Sequence, residues 1–521
     1  MPVISDAPLK LFSSAEETAE KPEQTPVIGT LPSWIQGSFL RIGPGKFDFG
    51  HEFKMNHWLD GYALLQRFEI TKDFVKFEKK YLQSDAYKRS VAAGRPLINE
   101  FATVAQRDPN KGFFSRMVST LLPEFTDNNY STLFHISSDI FATCDTCFFR
   151  KVDGKTLDSC EKYDGNKLFG LNGQSAHPLC DSATGDMYNS GFSLFPSSKY
   201  SIIKMKKANS SKEMLKNVTV LCTIPSRWVG ALSINHSFGL TPNYCCYIEQ
   251  PYVVSVSKIA SSLVKGHTLK DILEWRPQEK NRFIIVEKSS GKVFKTEYLS
   301  AQSFYFMHIV NCYEDNNQII VDLISYESPN MLDSLFLNKL RDCETDVNVD
   351  LSCIQRFVIP IISDIKLIEE GVELVQTKSR CSAIRRGNRI ILEGCNITER
   401  GIEMPTISRL FQGVKYRYIY AAGTFNRSCY SHTITKTDLQ SGETTVWKEG
   451  EYLYPGEPYF VPNPNNESED DGILISGVTD SRENHEDYLL FLDAKTMTEI
   501  ARATFKIENV PSALHGLFLP N

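Results

Sequence analysis

Four histidines in this chain have the residue type and the spacing that a single metal site requires. The intervals from His177 to His236, from His236 to His308 and from His308 to His515 are 59, 72 and 207 residues. The last interval is close to three units of about 70 residues, which is long for a repeated supersecondary unit and would place long loops on one face of the fold. Four such units that each contribute one inward imidazole would surround a metal. Neutral imidazole binds iron, copper, zinc or nickel, and four of them would leave open positions on an octahedral ion.

The spacing alone does not select these four, because the chain has ten histidines and a lone histidine is usually a surface or core residue. The flanking residues must decide. The four frames are Asn172-Gly-Gln-Ser-Ala-His-Pro178, Asn235-His-Ser-Phe-Gly239, Phe306-Met-His-Ile309 and Leu514-His-Gly-Leu-Phe518. The remaining histidines are His51, His57, His135, His267, His432 and His485.

Composition restricts the class of protein. The chain has 521 residues, of which 41% are hydrophobic and 11% aromatic, enough for a large core. Its net charge of −6 argues against a nucleic-acid partner, which would require a basic face. Thirteen cysteines without a secretory signal predict reduced thiols and a cytoplasmic protein. The first 25 residues lack an apolar targeting segment, and no apolar run is long enough to span a membrane.

Turn-forming corners recur between β-type runs, which predicts an all-β protein of short strands. A repeated Asp…Ser/Thr-Gly corner favours a propeller over a sandwich or barrel. A period of about 70 residues would give seven blades. The alternation in Ile140–Phe149 predicts one strand, with Cys144 and Cys147 on opposite faces. The corners are Lys151–Leu157, Asp181–Asp186, Glu287–Lys292, Asp438–Glu443 and Asp493–Thr498.

Helical patterns are scarce, and the two clearest are Lys111–Leu122 and Val256–Lys265. Each segment is either a core helix or an interfacial patch that enters a bilayer surface. In the first segment the apolar residues follow helical spacing. They are Phe113, Phe114, Met117, Val118, Leu121 and Leu122.

The flanking motifs carry a resemblance to a known family. All four histidine frames, in order, resemble those of the animal carotenoid cleavage oxygenases, and the resemblance runs from about Leu31 to the C-terminus. It implies an N-terminal extension, 1–30, and one domain, 31–521. That domain would be a seven-bladed β-propeller with loops and short helices over an axial Fe(II). Further matching motifs are Arg41-Ile-Gly-Pro-Gly-Lys-Phe47, Asn56-His-Trp-Leu-Asp-Gly61, Tyr454-Pro-Gly-Glu-Pro458 and Asp470-Asp-Gly-Ile473.

The resemblance implies roles for particular residues. The iron ligands would be the four histidines above, and three carboxylates would orient their rings. Glu403 and Glu457 match two of these carboxylates. The third position is Asp145, where relatives carry glutamate. Because aspartate is one methylene shorter, we expect a closer backbone, a bridging water or a lost partner.

The chemistry implied by the family is the addition of dioxygen across a carotenoid double bond, which breaks to give two aldehydes. An apolar tunnel would determine which double bond of the carotenoid lies beside the iron. Cys144 stands beside Asp145 where some relatives have threonine, so it is expected to shape the pocket. The residues that match tunnel positions are Phe101, Trp58, Leu59 and Met404.

Several activities remain open within this resemblance. Central 15,15′ cleavage to retinal is favoured, with coupled trans-to-cis isomerisation as in insect members of the family. The alternatives are eccentric 9′,10′ cleavage, retinoid isomerohydrolysis and a non-catalytic propeller that binds proteins or carotenoid. A membrane-borne substrate would make the amphipathic residues of Lys111–Leu122 a bilayer-docking rim of a peripheral, cytoplasmic protein. No obligate protein partner is indicated.

Overall fold

Short strands joined by tight turns form most of the chain, as the turn-rich sequence predicts. The computed structural model describes residues 9–19, 21–106, 125–194, 196–255, 257–258, 266–342, 350–423 and 432–521. The first strands are β1 (Glu23–Pro26), β2 (Ile28–Gly29), β3 (Gly37–Lys46), β4 (Asp48–Phe49), β5 (Phe53–Lys54), β6 (Tyr62–Ile70), β7 (Phe74–Tyr81), β8 (Thr132–Ile136), β9 (Asp139–Thr143), β10 (Phe148–Val152), β11 (Ser159–Asp164), β12 (Gly173–Gln174), β13 (Leu179–Cys180), β14 (Met187–Ser193), β15 (Lys199–Met205), β16 (Val218–Pro225), β17 (Ala231–Ser233), β18 (Gly239–Leu240), β19 (Tyr244–Glu249) and β20 (Tyr252–Ser255).

The second half of the chain continues in the same way. Its strands are β21 (Leu273–Trp275), β22 (Arg282–Glu287), β23 (Glu297–Ser300), β24 (Tyr305–Asp315), β25 (Gln318–Tyr326), β26 (Cys353–Pro360), β27 (Ser382–Arg386), β28 (Arg389–Glu393), β29 (Cys395–Asn396), β30 (Ile402–Thr406), β31 (Tyr418–Gly423), β32 (Thr433–Asp438), β33 (Thr444–Trp447), β34 (Leu453–Pro455), β35 (Tyr459–Pro462), β36 (Gly472–Asp480), β37 (Asp487–Asp493), β38 (Glu499–Phe505) and β39 (His515–Pro520).

Helices are few and short in the part of the chain that the structure describes. The α-helices are α1 (Leu9–Phe12), α2 (Asp85–Ala93), α3 (Gly165–Phe169), α4 (Ser211–Lys216), α5 (Leu269–Ile272) and α6 (Leu337–Asp342). The 3₁₀ helices are Trp58–Asp60, Pro329–Leu335, Ile365–Leu367 and Arg409–Phe411. Of the two helices expected from the sequence, Lys111–Leu122 lies outside the described residues, and only residues 257 and 258 of the second are described. Within the described chain, every helix is too short or too polar to cross a membrane.

Seven sheets of four or more strands succeed one another in the described chain. Almost all neighbouring strands are antiparallel; β23 and β28 are a parallel pair. The strand orders are β1-β7-β6-β3-β39, β11-β10-β9-β8, β12-β14-β15-β16 with β13 on β14, β18-β19-β22-β23-β28-β27, β24-β25-β26-β29, β30-β31-β32-β33, and β2-β38-β37-β36-β34 with β35 on β36.

Alternating side chains join each sheet to both of its neighbours. In β3, Phe39 packs in a cluster with Ile475 of the last sheet, whereas the adjacent Leu40 packs with Leu133 of the second sheet. Successive side chains of a strand point to opposite faces, so one strand serves two interfaces. Similar clusters join each of the remaining pairs of successive sheets. The seven sheets therefore close into a ring, a β-propeller, with the core between its sheets.

The two ends of the chain close this ring together. The last strand, β39, pairs with β3 of the first sheet, from Ile42 opposite His515 to Gly37 opposite Pro520. Near the N-terminus, β1 pairs with β7 of that sheet, whereas β2 pairs with β38 of the last sheet. The described part of segment 1–30 thus contributes strands to two neighbouring sheets.

All five predicted corners join antiparallel segments and share one geometry. In each, one acidic residue donates its N–H to the carbonyl five residues later, and its own carbonyl accepts the N–H four residues later; these residues are Asp153, Asp181, Glu287, Asp438 and Asp493. The residue four positions after that acidic residue has a φ between 57° and 78°, which closes a tight hairpin. Glycine adopts this conformation without steric cost. The residues at this position are Leu157, Gly185, Gly291, Gly442 and Met497.

Candidate metal centre

The four histidines singled out by their sequence frames converge at one point. One ring nitrogen from each of His177, His236, His308 and His515 lies within 4.8 Å of the others. The Nε2 atoms of His177 and His236 are 2.9 Å apart. Ring centroids of contacting pairs are 4.5 to 5.3 Å apart, with the planes nearly perpendicular. Three of the rings are buried and His177 is partly buried.

Each histidine comes from a strand at one edge of its sheet, or from the residues beside such a strand. His177 lies between β12 and β13, and His236 lies just before β18. His308 is within β24, and His515 is the first residue of β39. Because β12, β18, β24 and β39 are all edge strands of different sheets, the ring of sheets brings four separate edges to one axis.

Three of the imidazoles are oriented by carboxylates behind them. Nδ1 of His236 lies 2.9 Å from Asp145 Oδ2, and Nδ1 of His308 lies 2.9 Å from Glu403 Oε2. Nδ1 of His515 lies 2.7 Å from Glu457 Oε1. A carboxylate on Nδ1 fixes the tautomer in which Nε2 carries the lone pair, and raises the basicity of that nitrogen. These rings therefore present Nε2 to the centre.

The carboxylates are themselves held by further donors. Tyr326 donates its hydroxyl to Glu403 Oε1 at 2.6 Å, and the Met404 N–H donates to Oε2 at 2.8 Å. Gly516 N–H donates to Glu457 Oε2 at 3.0 Å. Ala176 N–H donates to Asp145 Oδ1 at 3.2 Å. The side chains of Glu457, Glu403 and Asp145 are 9%, 21% and 40% exposed, so Asp145 is the most hydrated of the three.

The electrostatic surroundings lower the pKa of two of the rings and raise the pKa of a third. Burial, together with the other three imidazoles, holds the pKa of His177 well below its ordinary value. Burial also lowers the pKa of His515, against the opposing charge of Glu457. For His308 burial acts in the same direction, but the charge and hydrogen bond of Glu403 outweigh it and raise the pKa. The same pair lowers the pKa of Glu403 against its own burial.

The donor set fits a divalent transition metal. Neutral imidazole nitrogen is a ligand of iron, zinc, copper and nickel, and His177 and His515 are held neutral. Nε2 of His308 is buried and makes no hydrogen bond within the described chain. A buried polar nitrogen without a partner is costly unless it binds something. A metal among the four Nε2 atoms would satisfy it.

Two serines, which the sequence did not single out, form hydrogen bonds that connect the segments carrying three of the histidines. Ser175 Oγ donates to the His236 carbonyl at 2.6 Å and accepts from the His177 N–H at 3.1 Å. Ser237 Oγ donates to the Met307 carbonyl at 2.5 Å and accepts from the Ile309 N–H at 2.9 Å. The same device thus links the segment of His177 to that of His236, and the segment of His236 to that of His308. Both serines stand inside the histidine frames, which was the only available signal.

The connection that carries Asp145 differs from the sequence prediction. The run Ile140–Phe149 is two strands, because β9 ends at Thr143 and β10 begins at Phe148. The single strand predicted there is wrong. Residues between them leave the sheet because Thr146 pairs with Gly173 of the neighbouring sheet. This excursion directs the Asp145 carboxylate to His236.

Cys144 is buried next to Asp145, and its Sγ lies 3.4 Å from Thr146 Oγ1 and 3.6 Å from Asn129 Nδ2. Burial raises the pKa of this thiol to about 12, so it is neutral at physiological pH. Met404 directly follows Glu403 and has a φ of 53°, a strained conformation for a non-glycine residue. Both residues therefore adjoin carboxylates of the centre.

The other expected tunnel residues lie together. Trp58 and Leu59 form the 3₁₀ turn Trp58–Asp60, and Phe101 packs with both in one hydrophobic cluster that also contains Tyr305. Trp58 is buried, whereas Leu59 and Phe101 are partly buried. The six amphipathic residues between Phe113 and Leu122 lie outside the described residues.

Comparisons with known proteins agree with this geometry. Residues 11–520 match the family model described as retinal pigment epithelial membrane protein. The chain is 35% identical to beta,beta-carotene 15,15′-dioxygenase of Gallus gallus, over 98% of each chain. It is also 35% identical to the mitochondrial carotenoid-cleaving dioxygenase of Homo sapiens, over 98% of this chain and 90% of that protein. Cobalt-substituted apocarotenoid oxygenase of Synechocystis has the same fold, with a TM-score of 0.78 at 20% identity, over 99% of this chain and all of that chain.

Proposed function

Because this chain belongs to the retinal pigment epithelial membrane protein and carotenoid oxygenase family, we propose that it is a non-haem Fe(II) dioxygenase that cleaves a carotenoid double bond into two aldehydes. One observation carries this proposal: four imidazoles meet at one point, three of them backed by carboxylates. A propeller that only bound proteins or carotenoid would not require that arrangement.

His177, His236, His308 and His515 would hold the iron through Nε2. When bound, Fe(II) supplies the redox chemistry by which dioxygen is activated. The carboxylates hold three of the rings in place through Nδ1, which directs Nε2 to the metal. Burial keeps His177 and His515 neutral. Four neutral ligands leave the charge of a divalent ion uncompensated in the first coordination sphere, and the three carboxylates outside it would offset that charge.

The surroundings favour oxygenation over acid–base hydrolysis. Three carboxylates contact the rings, those of Asp145, Glu403 and Glu457, and each accepts a hydrogen bond from a histidine. A carboxylate engaged in this way is not a free general base. Cleavage of a polyene with dioxygen needs no such base, because the substrate carries no proton that must be removed.

We propose that Trp58, Leu59, Phe101, Met404 and Cys144 line the space in which the polyene lies. Trp58, Leu59 and Phe101 share one apolar cluster, and a hydrocarbon chain is bound by apolar surface rather than by polar contacts. Met404 and Cys144 each neighbour a carboxylate that orients a ligand ring. The depth of this space would decide which double bond lies beside the metal.

Central 15,15′ cleavage, with retinal as the product, is the specific reaction that we propose. It is supported by the 35% identity to a beta,beta-carotene 15,15′-dioxygenase along nearly the whole chain. Eccentric 9′,10′ cleavage is the second candidate, because an equally similar relative is named only as a carotenoid-cleaving dioxygenase. We also propose that trans-to-cis isomerisation of one product accompanies cleavage.

The test is product identification after aerobic incubation of the iron-loaded protein with β-carotene and, separately, with zeaxanthin. Central cleavage of β-carotene releases retinal as its one carbon skeleton, and a cis fraction in it supports isomerisation. Apocarotenals of unequal length would replace central by eccentric cleavage. Retinol formed only from a retinyl ester would replace both with isomerohydrolysis.

We propose that the protein is cytoplasmic and reaches its substrate at a membrane surface, without an obligate protein partner. The apolar periodicity of Phe113, Phe114, Met117, Val118, Leu121 and Leu122 supports this. Complete burial of such side chains contributes roughly 1.5–3 kcal/mol each. Aspartate at Phe113, Met117 and Leu121 should release the protein from liposomes while its iron content stays unchanged. Unaltered liposome binding by that variant would contradict peripheral docking through this segment.

A further inference from the structure

Two cysteines remote from the four histidines in sequence lie against each other. The Sγ atoms of Cys381 and Cys395 are 3.0 Å apart, and both residues are free thiols. Cys381 immediately precedes β27, whereas Cys395 begins β29. Both converge on Arg356: Cys381 Sγ donates to its carbonyl at 3.2 Å, and the backbone of Cys395 pairs with it in β26. Because β27 and β29 belong to different sheets, the thiols meet across the interface between two successive sheets.

The two thiols differ in reactivity. Contact with Cys381 lowers the pKa of Cys395 to about 6, and the guanidinium groups of Arg356 and Arg380 act in the same direction against burial. The same contact, together with burial, raises the pKa of Cys381. By contrast, burial raises the pKa of Cys160 and of Cys180, although both side chains are exposed. The thiolate is the nucleophilic form of cysteine, so Cys395 is the reactive member.

The two thiols also differ in their exposure to solvent, in the direction that their reactivities require. Cys395 is partly buried and Cys381 is buried, with 6% of its surface exposed. The residues on either side of Cys395, Gly394 and Asn396, line a polar cavity of about 660 Å³. Cys395 itself does not line this cavity, and its own partial exposure is what leaves the thiolate, rather than the buried Cys381 thiol, within reach of a small oxidant.

We propose that Cys381 and Cys395 are a redox-active pair that a low-molecular-weight disulfide, such as glutathione disulfide, converts into a disulfide bond between two sheets. The Cys395 thiolate attacks one sulfur of glutathione disulfide, which forms a mixed disulfide and releases one glutathione thiolate. Cys381 then loses its proton and attacks the Cys395 sulfur, which releases the second glutathione. In total, two protein thiols and one glutathione disulfide give one protein disulfide and two glutathione thiols.

The bond would act as a covalent link between the sheet of β27 and β28 and the sheet of β26 and β29. Only a small approach of the sulfurs is needed, because they already lie in contact. A cross-link that fits the native geometry stabilises the folded state. The oxidised protein should therefore unfold at a higher temperature than the reduced protein.

The experiment uses the full-length, iron-loaded protein, reduced, freed of reductant and equilibrated with graded ratios of reduced to oxidised glutathione. After the remaining thiols are blocked, tryptic digestion without reductant should yield the Cys381 peptide joined to the peptide Ile390–Arg400. Cleavage at Arg385, Arg386 and Arg389 separates these two peptides, so that the link is visible by mass. Reduction should release both.

Two variants and two reference thiols make the outcome decisive. In C381S, Cys395 should stop at the mixed disulfide with glutathione, and the rise in unfolding temperature should disappear. C353S removes a neighbouring buried thiol. It should still form the linked peptide and show the rise in unfolding temperature. At neutral pH, wild-type Cys395 should react with iodoacetamide faster than the exposed Cys160 and Cys180. Absence of the linked peptide in excess glutathione disulfide, or slower labelling of Cys395 than of those two, would overturn the proposal.

Discussion

Asp145 meets His236 directly, with Oδ2 2.9 Å from Nδ1, although its side chain is one methylene shorter than the glutamate expected at this position. The connection between β9 and β10 makes this contact, because the residues that follow Thr143 leave the sheet and approach its neighbour. The same carboxylate also accepts the Ala176 N–H, so it joins the segment of His177 to the ring of His236. The structure thus shows a direct contact at this position rather than a lost partner.

The carboxylates that contact the histidines differ in how far their side chains are exposed to solvent. The side chain of Asp145 is 40% exposed and that of Glu457 is 9% exposed. Water can replace part of what an exposed partner provides, so D145N should weaken iron retention less than E457Q. Loss of such a partner typically costs about 10–100-fold in metal affinity or activity. Iron content measured during dialysis against graded chelator compares the two variants. A greater loss in D145N than in E457Q would contradict this ranking.

His308 should be indispensable for the metal. Its Nε2 is buried, makes no hydrogen bond in the described chain and points among the other three rings. We expect H308A to lose iron and activity together. The matched control is H135Q, which changes a histidine of β8 outside the four. Full iron content in H308A, or equal loss in H135Q, would show that the metal is held elsewhere.

Tyr326 should act through Glu403. Its hydroxyl donates to Glu403 Oε1 at 2.6 Å, while Oε2 serves His308 and the Met404 N–H. Y326F would leave one buried carboxylate oxygen without its donor, a cost of about 1–3 kcal/mol. We expect weaker iron retention than in the wild type, in the same direction as E403Q. If Y326F lowers the unfolding temperature but leaves the iron affinity unchanged, Tyr326 is only a core residue.

His57 should make stability depend on pH. Its ring is buried, Nδ1 accepts the Leu59 N–H and Nε2 donates to the Leu332 carbonyl. Burial lowers its pKa from 6.5 to about 4. The unfolded chain therefore binds a proton more tightly, so stability is lost as the pH falls from 6.5 towards 4. The full effect is about 3 kcal/mol.

Denaturant unfolding at several pH values between 4 and 7 measures this dependence, as the difference between the wild type and H57N. The asparagine removes the titration, so the unfolding free energy of H57N should fall less steeply on acidification. Parallel curves for the two proteins would contradict a buried neutral imidazole at this position.

Local signals in the sequence predicted much of the ring. The five hairpin corners are local features, and the structure shows those hairpins between antiparallel segments. The way in which β2 and β39 close the ring could not be derived from pattern, because it depends on pairing between residues hundreds of positions apart. The ligand frames are short motifs, so His177, His236, His308 and His515 could be named in advance.

Residues that act through contacts distant in sequence were missed. Tyr326 ends the buried strand β25, where nothing in the sequence distinguishes it from other core aromatic residues. Its role follows from a contact 77 positions away, with Glu403. The single strand predicted across Cys144–Cys147 failed for a related reason. Alternation indicated a continuous strand, but pairing of Thr146 with Gly173 of another sheet interrupts it.

The origin of the aldehyde oxygens tests the central claim most directly. The iron-loaded protein is incubated with β-carotene under ¹⁸O₂, the aldehydes are reduced at once to prevent exchange with water, and the label is measured by mass spectrometry. A dioxygenase places one labelled oxygen in each product, and under strict anaerobiosis no product forms. Products without label, or products that form without oxygen, would contradict the assignment of this centre as a carotenoid-cleaving dioxygenase.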